Sequence, residues 1–192
     1  MRVPAERTVF PERLSRNCIA IVVTLRLLPG AITMSAPPTL FEWAGGQPAL
    51  ERLTEKFYAN VAKDALLAPV FAQMDAHHPH FVALFIAEVI GGPAAYSDLR
   101  GGHPHMIRAH LERHLTEPLR RRWFDLLLTT ADEVGLPGDP EFRSAFVGYI
   151  EWGSRLAVLN SQGDAVVDPN TAMPRWGWGE TKGPFAPQWR KM

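Results

Sequence analysis

Four of the chain's seven histidines, His103, His105, His110 and His114, fall within residues 102–123, and the other three, His77, His78 and His80, lie shortly upstream. Wound as an α-helix, the later stretch places Met106/Ile107, His110/Leu111 and His114/Leu115 on one face. Two histidines then point where a core belongs. A buried imidazole must find partners for its ring nitrogens, because an unpaired buried polar group costs about 1–3 kcal/mol. Two readings fit: core histidines bonded to backbone carbonyls, or ligands of a metal or cofactor. Motifs of other chemistries are missing. There is no Gly-rich phosphate loop, no CxxC pair, no HExxH helix, and no Ser or Cys nucleophile in a recognisable setting.

The elements that must position these histidines read as helices. Thr39 caps a short helix, LFEWA, which Gly45-Gly46 ends. Pro48 suits the first turn of the next, where Leu50, Leu53, Phe57 and Val61 form a core-facing stripe. Tyr58 sits at its edge, and the ordinary fate of such a tyrosine is a hydroxyl in water. Residues 64–71 read as one helical turn and a corner limited by Pro69. Residues 80–90 are apolar nearly all round, as in a helix buried on more than one side, until Gly91-Gly92-Pro93 stops them. Residues 94–102 read as a loop carrying Tyr96 and Arg100. Past the histidine helix, Thr116 caps a long helix with Trp123, Leu126, Leu127, Thr130 and Val134 inward and Arg120, Arg121 and Arg122 on its solvated side. Asp139-Pro140 opens the last helix, with Phe142, Phe146, Ile150 and Leu156 facing in. No stretch alternates with period two, so the fold is all-α, about six helices over residues 39–160.

The flanks differ. Residues 18–28, CIAIVVTLRLL, are too short and too interrupted by Arg26 for a stable membrane span. Met34 opens MSAPPTLFEW, which reads as a natural start, so residues 1–38 are expected to be a disordered or misassigned extension, the alternative being a cleaved or partly inserted leader. From residue 161 to 192, Pro and Gly deny regular structure, yet Trp176, Trp178, Phe185 and Trp189 are too many aromatics for a solvating tail. That tail is expected to pack on the domain or on a partner subunit, as in a homodimer. Twenty basic and 20 acidic residues balance, and nothing suggests nucleic acid as a partner. The single cysteine, Cys18, excludes an internal disulfide and fits the reducing cytoplasm.

An ordered set of features narrows the two histidine readings. It comprises Gly45-Gly46 after a very short helix, Phe57-Tyr58, Phe71, Gly91-Gly92-Pro93 followed by Tyr96-Ser97, and Gly102-His103-Pro104, then His110 and Trp123 thirteen positions apart. Over residues 40–160 the chain thereby resembles the truncated haemoglobins of the second group, the shortened two-over-two helical sandwich. The resemblance implies haem b as cofactor, with His110 as axial ligand to its iron. His114, one turn on, has no matching role and reads as a helix-end residue near the last carbonyls. Tyr58 and Trp123 would line the other side, where a phenol O–H and an indole N–H stabilise a bound, partly charged dioxygen and slow its release. Phe71 would pack on the haem edge, and Tyr96, Arg100 and His103 would reach the propionates, although Arg100-Gly101-Gly102 carries an extra glycine.

Counting back from Gly91 places His78 opposite the iron and Val82 one turn on, where many members of this group carry a small residue at the first site. An inward His78 adds a third distal donor or an iron ligand; if the helix begins at Pro79, His78 is a capping or surface residue. The implied function is binding of dioxygen or another diatomic gas. Nitric oxide dioxygenase or peroxidase-like chemistry, served by a reductase, also suits strong distal donors. The rival is a helical bundle holding a non-haem metal with the histidines between His77 and His114. Such sites usually add carboxylates, and Glu112 faces away from its neighbours. A third reading is a haem-free interaction domain in which the Trp-rich tail is the working part.

Overall fold

The computed structural model describes residues 36–184, so the expectations for residues 1–35 and for Phe185 and Trp189 lie outside the described residues. Among the described residues the chain forms seven α-helices, one short 3-10 turn at Gly179–Thr181 and no strand. None of these helices is long and apolar enough to cross a membrane.

Helix α1, Leu40–Trp43, starts in a reciprocal capping box between Thr39 and Glu42. Gly45, with φ of 99°, turns the chain into α2, Gly46–Val61, whose Leu50, Leu53, Phe57 and Val61 are buried as their spacing predicts. Turns follow from Asp64, whose Oδ1 accepts the N–H groups of Leu66 and Leu67 at 3.0 Å. Helix α3 spans His78–Val89, α4 Ala95–Arg100, α5 Gly102–His110, α6 Glu117–Glu133 and α7 Pro140–Asn160. Helices α2 and α3 pack as one pair and α6 and α7 as another, joined where α2 meets α6. This is a two-over-two sandwich. Helix α5 packs on α4 and α7, and is not among the elements that pack broadly on α3.

Four expectations are corrected. Residues 95–100 form a helix in place of the expected loop. Its first turn is capped from a distance by Glu88 of α3, which accepts the Ser97 N–H at 2.9 Å and its hydroxyl as well. Helix α3 begins at His78, two residues early, with Pro79 in its first turn. The histidine helix stops at His110, because the following backbone turns away to bond Ser161; Glu112 and His114 take φ of 58° and 49°. His114 is therefore an exposed loop residue, outside any helix. Arg120 is buried, bonded to Glu117, to Glu151 at 2.7 Å and to Ser154 at 3.1 Å, and so ties α6 to α7.

Of the tail, Trp178 is buried, stands edge-on to Trp43 and donates from its indole to the Pro38 carbonyl at 2.7 Å. The expected packing on the domain holds for this part of the segment.

Candidate functional site

Two faces of the sandwich carry the predicted site residues. On the first, α2 supplies Tyr58, the turns supply Phe71, α3 supplies His78 and α6 supplies Trp123. The Tyr58 ring stands edge-on to Phe57, Phe71 and His78, at 4.9, 5.5 and 4.9 Å between centroids. Trp123 stands edge-on to Phe57 at 5.3 Å. Arg122, next to Trp123, bonds Asp64 at 2.6 Å and so clamps the Phe71-bearing turns to α6.

The hydroxyl of Tyr58 is not in water. The residue is 5% exposed, and its oxygen is hydrogen-bonded to His78 Nε2 at 2.9 Å. Burial drives the phenol pKa well above its ordinary value, and the Trp123 indole N–H acting on the same oxygen only partly offsets this. His78 lies below the ordinary histidine range, first because it is desolvated and then because His110 and Arg113 oppose a positive charge, with Asp75 pulling the other way. Near pH 7 the pair is a neutral phenol and a neutral imidazole. The helix begins at His78 and not at Pro79, and the His78 ring is turned to Tyr58, away from a capping or surface position. A cavity of about 340 Å³ opens beside Tyr58, with Val61, Phe71 and Met74 among its walls.

The second face belongs to α5. His110 is half-buried, and its Nδ1 donates to the Met106 carbonyl at 2.8 Å, which fixes the tautomer and leaves Nε2 with a free lone pair. Desolvation lowers its pKa, more than the Met106 bond raises it. A stripe of α3 formed by His78, Phe81, Val82 and Phe85 is half-buried throughout although three of the four are apolar, and it meets α5 where Phe85 lies 6.2 Å from the His103 ring. Phe81 and Phe85 are not singled out by the sequence. A helix apolar all round shows no preferred face, and only their spacing from His78 could have marked them.

Tyr96, Arg100 and His103 border the same region. Tyr96 is buried against Phe85 at 5.0 Å. Arg100 is exposed, lies over the Phe81 ring at 4.2 Å and donates to His105 Nε2 at 3.0 Å. His103 is buried, with Nδ1 donating to the Ala172 carbonyl at 3.2 Å and Nε2 without a partner.

The histidines do not converge on one point. His77 pairs with Asp75 at 3.3 Å and His80 with Glu51 at 2.9 Å. Among the described residues no group of three or more His, Cys, Asp or Glu side chains could hold a metal ion, so the non-haem bundle is not favoured.

Residues 39–145 match the family model for bacterial-like globins. A group 1 truncated haemoglobin of Nostoc commune is 40% identical over 82 residues, which is 42% of this chain and 64% of that protein, so the match spans just under two thirds of that relative. A group 2 truncated haemoglobin of Bacillus subtilis is 29% identical over 62% of this chain and 88% of its own length. The crystal structure of the group II truncated haemoglobin from Bacillus anthracis superposes with a TM-score of 0.59 at 26% identity, covering 65% of this chain and 93% of that one. The truncated oxygen-avid haemoglobin from Bacillus subtilis gives 0.57 at 29% identity, covering 63% and 99%.

Proposed function

The chain belongs to the bacterial-like globin family, as a haem-binding truncated globin of the second group, and from that premise we propose that His110 would hold the iron of a haem b, with Tyr58, Trp123 and His78 serving a gas bound to it. The observation that carries this reading is the His110 tautomer. With Nδ1 donating to a backbone carbonyl at 2.8 Å, Nε2 presents the lone pair an iron needs. The half-buried Phe81, Val82 and Phe85 of α3 and the half-buried Met106 and His110 of α5, on helices not packed broadly on one another, suit a flat hydrophobic group.

Haem held there would supply an iron able to bind dioxygen or another diatomic gas. The chain's own residues do the rest. Val82 and Phe71 would give apolar contact, and Tyr96, Arg100 and His103 would hold the propionates, with the Arg100 guanidinium as the one fixed positive charge of the three. Tyr58 would offer its O–H to the gas in a site its neighbours keep dry, where such bonds are strong, and the Trp123 indole, whose single N–H acts on the Tyr58 oxygen, would support that phenol. His78 orients the phenol. Donors of this kind favour slow release, and hence redox chemistry on the bound gas, such as nitric oxide dioxygenation with a reductase in the cytoplasm, or sensing.

The visible spectrum of the purified chain, with haemin supplied, tests the assignment. A Soret band present in the wild type and in His114→Ala but lost in His110→Ala is the expected result. A colourless protein carrying one equivalent of zinc or iron overturns it.

A further inference from the structure

Helix α5 is nine residues long, enters through Gly101 and Gly102 with φ of 83° and 68°, and has no side-chain cap. A helix this short does not hold itself in water. One later segment of the chain grips both its ends. Beyond its C-terminus, the His114 N–H donates to the Ser161 carbonyl at 2.9 Å, the Leu115 N–H to Ser161 Oγ at 2.9 Å, and Gln162 Nε2 to the Leu115 carbonyl at 3.2 Å. At its N-terminus, His103 Nδ1 donates to the Ala172 carbonyl. The same segment is then fastened to the sandwich: the Trp176 N–H caps the Val89 carbonyl at the end of α3 at 2.8 Å, and its ring lies against Tyr149 and Trp152 of α7 at 6.0 and 5.8 Å.

The left-handed backbone at Glu112 and His114 costs about 1 kcal/mol per residue, so these bonds act against strain and are more than incidental contacts. All of the segment lies past residue 145, where the family match ends.

We propose that residues 161–176 are a brace that positions α5, with His103 and Trp176 as its positioning residues, and that the brace sets how firmly the chain retains haem. The haem part of this rests on the reading of His110 above. The brace itself does not.

The test uses the full chain, with and without added haemin, and the variants Trp176→Ala, His103→Leu and His103→Asn. Asparagine keeps a donor at the Nδ1 position and discards Nε2, so the Leu and Asn pair isolates the link to Ala172. Amide hydrogen exchange is read over α5, the haem-loss rate by transfer to an acceptor globin, and the iron–histidine stretch by resonance Raman. Exchange and haem loss about 3- to 10-fold faster are expected in His103→Leu, the size of one lost hydrogen bond, and of similar size in Trp176→Ala, which keeps the backbone bond to Val89 and loses the ring packing on Tyr149 and Trp152. The stretch should shift in both variants, and His103→Asn should return amide exchange over α5 close to wild type. Wild-type exchange over α5 in both variants, or Asn exchanging as fast as Leu does, overturns the brace. Should Trp176→Ala fail to fold, the His103 pair decides alone. A wild-type chain that takes up no haem defeats the His110 reading, while the exchange measurement still decides the brace.

Discussion

Tyr58 has one hydroxyl proton and two polar neighbours, His78 Nε2 at 2.9 Å and the Trp123 indole. On the proposed reading His78 would act on a gas ligand only through the phenol. Tyr58→Phe and Trp123→Phe should therefore each speed dioxygen release about tenfold, the worth of one hydrogen bond in a dry site. His78→Leu should change release less than about threefold, and Tyr58→Phe/His78→Leu should match Tyr58→Phe alone, because two residues of one network do not add. Stopped-flow off-rates measure all four. An additive double variant would show that His78 reaches the ligand itself. The residue types of this cluster were readable from the sequence in order and spacing. The inward turn of His78 was not, since it depends on Pro79 fitting the first turn of α3 so that the helix begins at His78.

Where elements meet, the sequence signals were strongest for helices that organise themselves and weakest where a partner completes them. The α2 stripe follows from periodicity alone. Helix α4 escaped because its cap comes from Glu88, nine residues from Ser97 and on another element. Arg120 escaped because a run of three arginines gives no hint that one of them faces Glu151 and Ser154. Gly91-Gly92 was legible as a stop, but Gly92 also permits a close approach of α1 to the end of α3. A Cβ there would stand 2.8 Å from the Ala87 carbonyl and 2.9 Å from the Phe41 ring. Gly92→Ala should destabilise the fold by about 1–3 kcal/mol, as overpacking does. Gly138→Ala, in open space, should be neutral or slightly stabilising. Urea denaturation midpoints separate the two.

The Arg120 network carries a pH signature. The guanidiniums of Arg120 and then Arg121 hold the Glu117 carboxyl at about 2, and Arg120 and Arg155 hold Glu151 below its ordinary value. A carboxyl depressed in the folded state stabilises above its unfolded pKa, and that contribution fades as the pH falls toward the folded one. Stability should thus decline from about pH 4.5 toward pH 2. Arg120→Leu should flatten that decline and cost about 1 kcal/mol at pH 7, since it leaves the buried Ser154 hydroxyl without its donor. Denaturant titrations over this pH range measure both effects, and an unchanged slope in the variant would show that other carboxylates set the acid response.

Across the whole molecule, the first and last described segments close on each other. Trp178 donates to the Pro38 carbonyl and stands edge-on to Trp43, whose own indole donates to Asp139 at 2.8 Å. Asp139 also caps α7 through the Phe142 N–H at 2.9 Å. Composition alone shows that a tail with this many aromatics must bury some of them. It cannot show where, because Gly and Pro leave no periodicity from which to read a face. The contact is long-range, 140 positions apart, and its worth is tested by two substitutions. Trp178→Ala removes a buried indole and opens a cavity, with an expected loss of about 3–5 kcal/mol. Trp178→Phe keeps most of the apolar area and loses the bond to Pro38, for about 1 kcal/mol. The order Phe before Ala in the urea midpoint, at constant m-value, is the expected outcome. Equal midpoints in both variants and the wild type would mean that the sandwich stands without its closing contact.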